Sequence, residues 1–163
     1  TGRVQAIAVI GAGIAGLSAA RTLQDQGHRV TVLEKARGTG GRASTRRIGK
    51  LAFDHGAQYF TARNPAFRRA VAAWRERGLV SVWRGRLGSV RDGRIMPVAD
   101  GRERFVAVPG MSALPRHIAS DLAVRTNVRV APPERRAGRW WLRSDADEDL
   151  GVFDLLVVAA PAP

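Results

Sequence analysis

The chain has no cysteine, which excludes disulfides, cysteine-ligated zinc and iron–sulfur clusters within these residues and suits a reducing cytoplasm. Acid is scarce: 14 Asp and Glu stand against 27 Lys and Arg, for a formal charge of +13 and a pI near 11.8. Such an excess ordinarily points to nucleic acid, an anionic membrane or an acidic partner. Lysine is nearly missing, with only Lys35 and Lys50, and the arginines run from Arg3 to Arg143 rather than along one stripe interleaved with aromatics. Most of the charge therefore reads as surface composition, with no nucleic-acid interface expected, or as balance for an acidic part elsewhere in the protein. No apolar run reaches the ~20 residues of a membrane helix. Residues 4–20, after Arg3, could pass for a signal peptide, but three glycines at turn spacing would break its helix, whereas a strand–turn–helix needs them. No nucleophile triad, paired-carboxylate site, metal cluster, internal repeat or low-complexity linker stands out. At 163 residues and 45% apolar content, one domain with a real core is expected.

What the chain does have is concentrated near its start. Ala6-Ile7-Ala8-Val9-Ile10 reads as a strand and Gly11-Ala12-Gly13-Ile14-Ala15-Gly16 as a turn into a helix reaching Gln26; Arg29-Val30-Thr31-Val32-Leu33 is a second strand closed by Glu34. This context turns a weak G-x-G-x-x-G match into a dinucleotide site, the bland alternative being a chance glycine cluster at a strand–helix turn. Gly11 permits the tight turn, Gly13 lets backbone approach a pyrophosphate, and Gly16 lets helix and sheet pack closely. The helix N-terminus favours the anion, and Glu34, eighteen residues after Gly16, is placed to accept from ribose hydroxyls and to disfavour a 2′-phosphate. Taken alone, this stretch fits an NAD dehydrogenase equally well.

A second glycine run, Lys35-Ala36-Arg37-Gly38-Thr39-Gly40-Gly41-Arg42, lets another loop lie against a phosphate chain, with Arg42 offering a planar charged fork. Arg46 and Arg47 read equally well as a solvated basic loop. The set Gly11-x-Gly13-x-x-Gly16, Glu34 and Arg37-x-x-Gly40-Gly41-Arg42 resembles the N-terminus of glutathione-reductase-related FAD proteins of the amine oxidase type. Asp54-His55-Gly56-Ala57-Gln58-Tyr59-Phe60-Thr61, Pro109-Gly110-Met111-Ser112-Ala113-Leu114 and the closing Val157-Val158-Ala159-Ala160-Pro161-Ala162-Pro163 resemble the corresponding parts of renalases, the bacterial ones in particular.

The resemblance implies an α/β, Rossmann-like FAD/NAD(P)-binding fold, a βαβ parallel sheet plus β-meander, with part of a small antiparallel substrate-side domain. Residues 1–78 and 109–163 would form the FAD domain, and 79–108 the substrate-side excursion; the family's C-terminal half would be absent, which makes the chain an N-terminal fragment. Implied cofactor contacts are Gly11, Ala12, Gly13, Ile14, Ala15, Gly16, Glu34, Lys35, Arg37, Gly40, Gly41, Arg42, Ala57, Gln58, Tyr59, Phe60, Val128 (through its backbone, at the adenine) and Ala160. Gln58 and Tyr59 would face the flavin ring or substrate. With no cysteine, a cysteinyl-flavin bond is excluded. The implied activity is FAD-dependent oxidation of isomeric dihydronicotinamide dinucleotides, with hydride passing to flavin and electrons to O2 to give hydrogen peroxide. Alternatives are an amine oxidase or desaturase, and a non-catalytic basic module binding nucleotide or nucleic acid. No metal or membrane partner is implied.

The remaining stretches carry structure. Asn64-Pro65 has the form of a helix cap with proline in the first turn; Phe67, Val71 and Trp74 then make one apolar stripe, and Gly78 suits the far end. Residues 79–83, 94–98 and 104–108 read as strands separated by Gly88-Ser89, Asp92-Gly93 and Asp100-Gly101, with Trp83 and Phe105 expected to be buried in a small sheet. Ser112 is expected to cap a helix with Leu114, Ile118 and Leu122 inward, and residues 127–130 to form a strand. Trp140 to Ser144 and Val152-Phe153 flank an acidic turn, and residues 155–160 read as a strand covered on both faces. His55 reads as a hydrogen-bonding turn residue.

Overall fold

The computed structural model describes residues 3–98 and 100–160, and its N-terminal strands and helix follow the apolar periods of the sequence. In chain order the elements are β1 (Ala6–Ile10), α1 (Ile14–Asp25), β2 (Arg29–Leu33), β3 (Thr45–Ile48), β4 (Leu51–Asp54), α2 (Pro65–Glu76), β5 (Val80–Val82), β6 (Gly88–Arg91), β7 (Arg94–Pro97), β8 (Phe105–Ala107), α3 (Ala113–Ala119), β9 (Ala123–Arg125), β10 (Glu134–Arg136), β11 (Arg139–Arg143), β12 (Asp149–Phe153) and β13 (Leu155–Val158). A single 3-10 turn, Gly41–Ala43, lies between β2 and β3.

Four strands form a parallel sheet in the order β13-β1-β2-β9. Alternation along β1 sends Ile7 and Val9 into a core shared with Leu17 and Ala20 of α1 and Leu114 and Ile118 of α3. Ala8 points the other way, into a second core with Leu142, Leu150 and Phe153 of the antiparallel meander β10-β11-β12. The sheet is thus held between helices and meander, as the α/β expectation requires. A side chain as fully buried as Leu17 contributes about 1.5–3 kcal/mol. The meander is tied to the sheet at Asp154, whose carboxylate accepts from Ala6 N (2.8 Å) while its own N–H donates to Ala6 O (2.7 Å). That bond, helped by the nearby Arg139, holds the Asp154 carboxyl below its ordinary pKa.

The α2 cap forms as expected. Asn64 Oδ1 accepts from Ala66 N at 2.8 Å and Phe67 N at 3.4 Å, Pro65 opens the helix, and Gly78 takes φ 70° just past its end. Asn64→Ala should therefore destabilise the protein by about 1 kcal/mol, read as a lowered urea midpoint. An unchanged midpoint would mean that α2 is held by its apolar stripe alone.

Several expectations are corrected. Gly88-Ser89 is not a separator: it begins β6, which pairs with β7 across the Asp92-Gly93 turn, where both residues have positive φ (50° and 74°). Arg46 and Arg47 lie on β3, paired with β4, rather than in a loop, and both are exposed. Residues 127–130 are not a strand, because Asn127 is left-handed (φ 58°); β9 ends earlier, at Arg125. Ser112 precedes α3 but caps nothing with its hydroxyl, and Leu122 lies beyond the helix. β13 is an edge strand: its middle residues Leu156 and Val157 pack on the two cores on opposite faces, while its ends, Leu155 at 44% and Val158 at 63%, are exposed. Phe105 is buried as expected, but Trp83 is 37% exposed. The His55 side chain makes no hydrogen bond among the described residues and is exposed.

Candidate dinucleotide-binding site

The site is built where β1 stops. Gly11 has φ +103°, and a Cβ there would sit 3.0 Å from the Ala159 carbonyl, so only glycine lets β1 turn beside the end of β13. Gly16 is tighter still: a Cβ on it would lie 2.0 Å from the Gly11 carbonyl oxygen. Gly13 differs from both, since a Cβ there would meet nothing within 4 Å. It occupies the cap position of α1, which no side chain caps, so the N–H groups of the first turn at Ile14 and Ala15 are left for a ligand.

The second glycine run closes on the first. Gly40 N donates to Ala12 O at 2.8 Å, Gly13 and Gly40 form a parallel bridge, and a Cβ on Gly41 would sit 3.5 Å from the Gly13 Cα. Arg42 follows on the exposed side, with Lys35 and Arg37 also exposed around the loop. Two glycine turns thus lie against each other beside the open side of Gly13, with a helix N-terminus and an arginine nearby, a set of donors suited to a pyrophosphate.

Glu34 does more than the sequence indicates. It is 8% exposed, its Oε2 accepts from Ala12 N (2.7 Å) and its Oε1 from Ala36 N (2.8 Å). The carboxylate therefore braces the glycine turn against the end of β2, and each oxygen keeps acceptor capacity for a hydroxyl. Ala12 is spent in the same act: its N–H and C=O are both bonded within the protein and its side chain is fully buried. It supports the site instead of presenting itself to a ligand. Val128 N likewise donates to Glu34 O (2.9 Å), so of its backbone polar groups the carbonyl is the one left for an adenine.

The segment after β4 is pinned to the same loops. Ala57 N donates to Arg42 O at 2.7 Å, and a Cβ on Gly56 would lie 2.1 Å from that oxygen. Gln58 and Tyr59 are thereby brought beside the second glycine loop, both exposed, while Phe60 exchanges backbone bonds with Phe105 (2.8 and 2.9 Å). Ala160 is exposed past the end of β13, and Pro161–Pro163 lie outside the described residues.

Two supports were not legible in the sequence. Asp54 Oδ1 accepts from the Thr45 hydroxyl (2.5 Å) and from Met111 N (3.0 Å), and Thr45 Oγ1 accepts from Ser112 N (3.1 Å), which joins the β3–β4 hairpin to the start of α3. Tyr59 stacks on Trp83 (centroids 5.6 Å apart, planes 9° apart) and carries the Arg104 guanidinium at 5.3 Å from its ring centre. Arg104 is held in turn by Asp100, at 2.5 and 3.0 Å. This arginine lowers the Asp100 carboxyl from 3.8 to about 2. A depressed carboxyl contributes stability that is full above its ordinary pKa and lost as pH falls through the folded value. The gap in thermal midpoint between wild type and Asp100→Asn should accordingly be open above pH 3.8 and close toward about 2; a gap independent of pH would mean the carboxylate charge is not what matters.

Residues 9–74 match the family described as the NAD(P)-binding Rossmann-like domain. That stretch holds both glycine turns and Glu34. An L-amino-acid oxidase from Siganus canaliculatus is 54% identical over 41 residues, 25% of this chain and 8% of that protein. The 4,4'-diapophytoene desaturase (4,4'-diaponeurosporene-forming) of Staphylococcus aureus strain Newman is 48% identical over 50 residues, 31% of this chain and 10% of the desaturase. Of solved structures, a CLA-producing fatty acid isomerase from P. acnes superposes with a TM-score of 0.75 at 16% identity, covering 95% of this chain and 58% of that one. A putrescine oxidase triple mutant gives 0.73 at 14% identity, covering 96% and 58%. At such identities the structures establish the Rossmann-like fold, with its parallel sheet and added antiparallel strands. The matched stretches span about a tenth or less of the curated relatives, and the chain spans 58% of each of these two structures. Among the described residues no helix is long and apolar enough to cross a membrane, and no cluster of metal-ligating side chains occurs. The donor set, two glycine turns with the acid Glu34 beside them, fits the pyrophosphate and a ribose of a dinucleotide such as FAD.

Proposed function

We propose that this chain is the FAD-anchoring part of a flavin-dependent oxidoreductase, acting on a small-molecule substrate with O2 as final electron acceptor. The observation that carries the reading is the Gly13–Gly40 bridge, which sets two glycine turns against each other beside the open side of Gly13, with Glu34 bracing the first of them. Bound FAD would supply hydride acceptance and electron transfer to O2. The chain's own contribution is orientation. Ile14 and Ala15 N–H groups and Arg42 hold the pyrophosphate, Glu34 takes the ribose hydroxyls, and the Ala57–Arg42 bond sets Gln58 and Tyr59 at the edge of the flavin position.

Within that class we propose oxidation of isomeric dihydronicotinamide dinucleotides. Support comes from the renalase-like segments at residues 54–61 and 109–114, which the Asp54–Met111 bond joins. Hydride donation from such a ring needs no protein base. An amine oxidase or desaturase is the second reading, favoured by the partial similarity of the chain to an L-amino-acid oxidase and a desaturase. Domain limits of 1–78 with 109–163 for the FAD unit, and 79–108 for the substrate side, belong to the same proposal. The FAD-loaded protein, mixed anaerobically with isomeric dihydronicotinamides, should lose its visible flavin absorption. Bleaching by amines alone would favour the second reading, and salt-sensitive DNA binding with no flavin retained would favour a basic nucleic-acid module.

A further inference from the structure

Away from the glycine loops, a cleft of about 500 Å³ opens along the outer face of α2. Arg68, Ala72 and Arg75 line it from the helix, Arg63 from the turn before, and Arg102, Glu103 and the edge of Phe105 from the strand side. Four guanidinium groups thus face one glutamate. Helical spacing explains the geometry: positions 68, 72 and 75 share a face, and the small Ala72 leaves a gap between two long cationic arms.

Much of the meander's positive charge is paired. Arg125, Arg129, Arg139 and Arg143 each pair with an acid of the meander region, at Glu148, Asp145, Asp154 and Asp147. Among the described residues, Arg63, Arg68 and Arg75 have no such partner, and Arg102 only grazes Asp100 at 3.9 Å. Two of the arms are also pre-set. Arg68 Nε donates to Ala62 O (3.2 Å), and the Arg75 guanidinium lies 6.0 Å from the centre of the Phe105 ring. Holding an arginine by its Nε or its face leaves the terminal N–H groups aimed outward, which lowers the ordering cost of binding an anion.

From these features we infer a second ligand site, for a group of two or more adjacent phosphates. Uncompensated guanidinium forks match phosphate oxygens, and the cavity falls within the size range of small-ligand pockets. Phe105 is 5% exposed and already covered by Arg75, so no free ring is presented for a base to stack on. Recognition therefore rests on the phosphates, whether free or carried by a nucleotide.

The test is calorimetric titration of the protein with inorganic tripolyphosphate, ATP and AMP, each with and without saturating FAD. Tripolyphosphate and ATP should bind alike and AMP at least about tenfold more weakly, since each lost charge-assisted contact is worth about 1.5–3 kcal/mol. The Arg68→Gln/Arg75→Gln variant should lose tripolyphosphate binding by a similar factor or more. Arg135→Gln/Arg136→Gln on β10 removes the same charge from the far side of the sheet and should leave binding within about twofold. Thermal melts check that both variants fold. Equal losses in the two variants, displacement of tripolyphosphate by FAD, or no binding at all would each overturn the inference. The arm with saturating FAD separates this site from the glycine turns, which would themselves take a polyphosphate, and the Arg68→Gln/Arg75→Gln comparison reads the cleft alone whether or not FAD binds.

Discussion

A Gly13→Val protein should keep its fold and fail to bind FAD. The Gly13 backbone (φ −74°, ψ 174°) is one that any residue adopts, and a Cβ there meets no protein atom within 4 Å. The cost to folding is limited to poorer capping of α1, at most about 1 kcal/mol. The cost to binding is large, because the isopropyl group projects into the open space beside the first-turn N–H groups and holds a pyrophosphate away from them. Loss of two charge-assisted hydrogen bonds, about 1.5–3 kcal/mol each, corresponds to on the order of a hundredfold or more in affinity. A thermal melt near wild type together with absent flavin binding is the expected pair of results. Unchanged affinity would remove the pyrophosphate from this position.

Gly16→Ala should do the reverse. Its new Cβ would lie 2.0 Å from the Gly11 carbonyl oxygen and 3.1 Å from the Ala159 Cβ. Neither neighbour can yield cheaply, since Gly11 N is bonded to Leu33 O (2.8 Å) and Ala159 N to Ile10 O (2.8 Å). Overpacking of this kind costs about 1–3 kcal/mol, and here it falls on the contact joining α1 to the sheet. The urea midpoint should drop by that amount. A stable Gly16→Ala protein would mean that helix and turn are not in the close contact described.

These two glycines mark what could be read in advance. β1, α1 and β2 are legible because apolar period, glycine spacing and the closing acid all agree over one short stretch. The distinction between Gly13, open to a ligand, and Gly16, closed by protein, was also implicit in their spacing. Strands such as β3 and β6 were not legible: Thr45–Ile48 and Gly88–Arg91 are largely exposed, rich in arginine or small residues, and carry no alternation. Residues 127–130 misled because their alternation of apolar residues is real, yet Asn127 turns left-handed and Val128 docks on Glu34 instead of continuing β9.

At the site, residue types were legible and their commitments were not. Glu34 was expected as a ribose acceptor, but its bonds to Ala12 and Ala36 depend on where β2 ends relative to the glycine turn, which spacing does not specify. Tyr59 was expected beside the cofactor, while its stacking on Trp83 under Arg104 joins residues from three separate segments. Contacts of that range leave no local pattern. The arginine cleft on α2 was hidden for a different reason: in a chain with 27 basic residues, only the fold shows which arginines gather around one cleft.

The central claim is that two glycine turns and Glu34 hold a flavin dinucleotide by its pyrophosphate and ribose. Its most direct test is titration of the protein with FAD and with FMN, followed by flavin fluorescence. FAD should bind saturably, and FMN, which lacks the second phosphate and the adenosine, should bind far more weakly. Equal binding of the two, or no binding of FAD, would contradict the account.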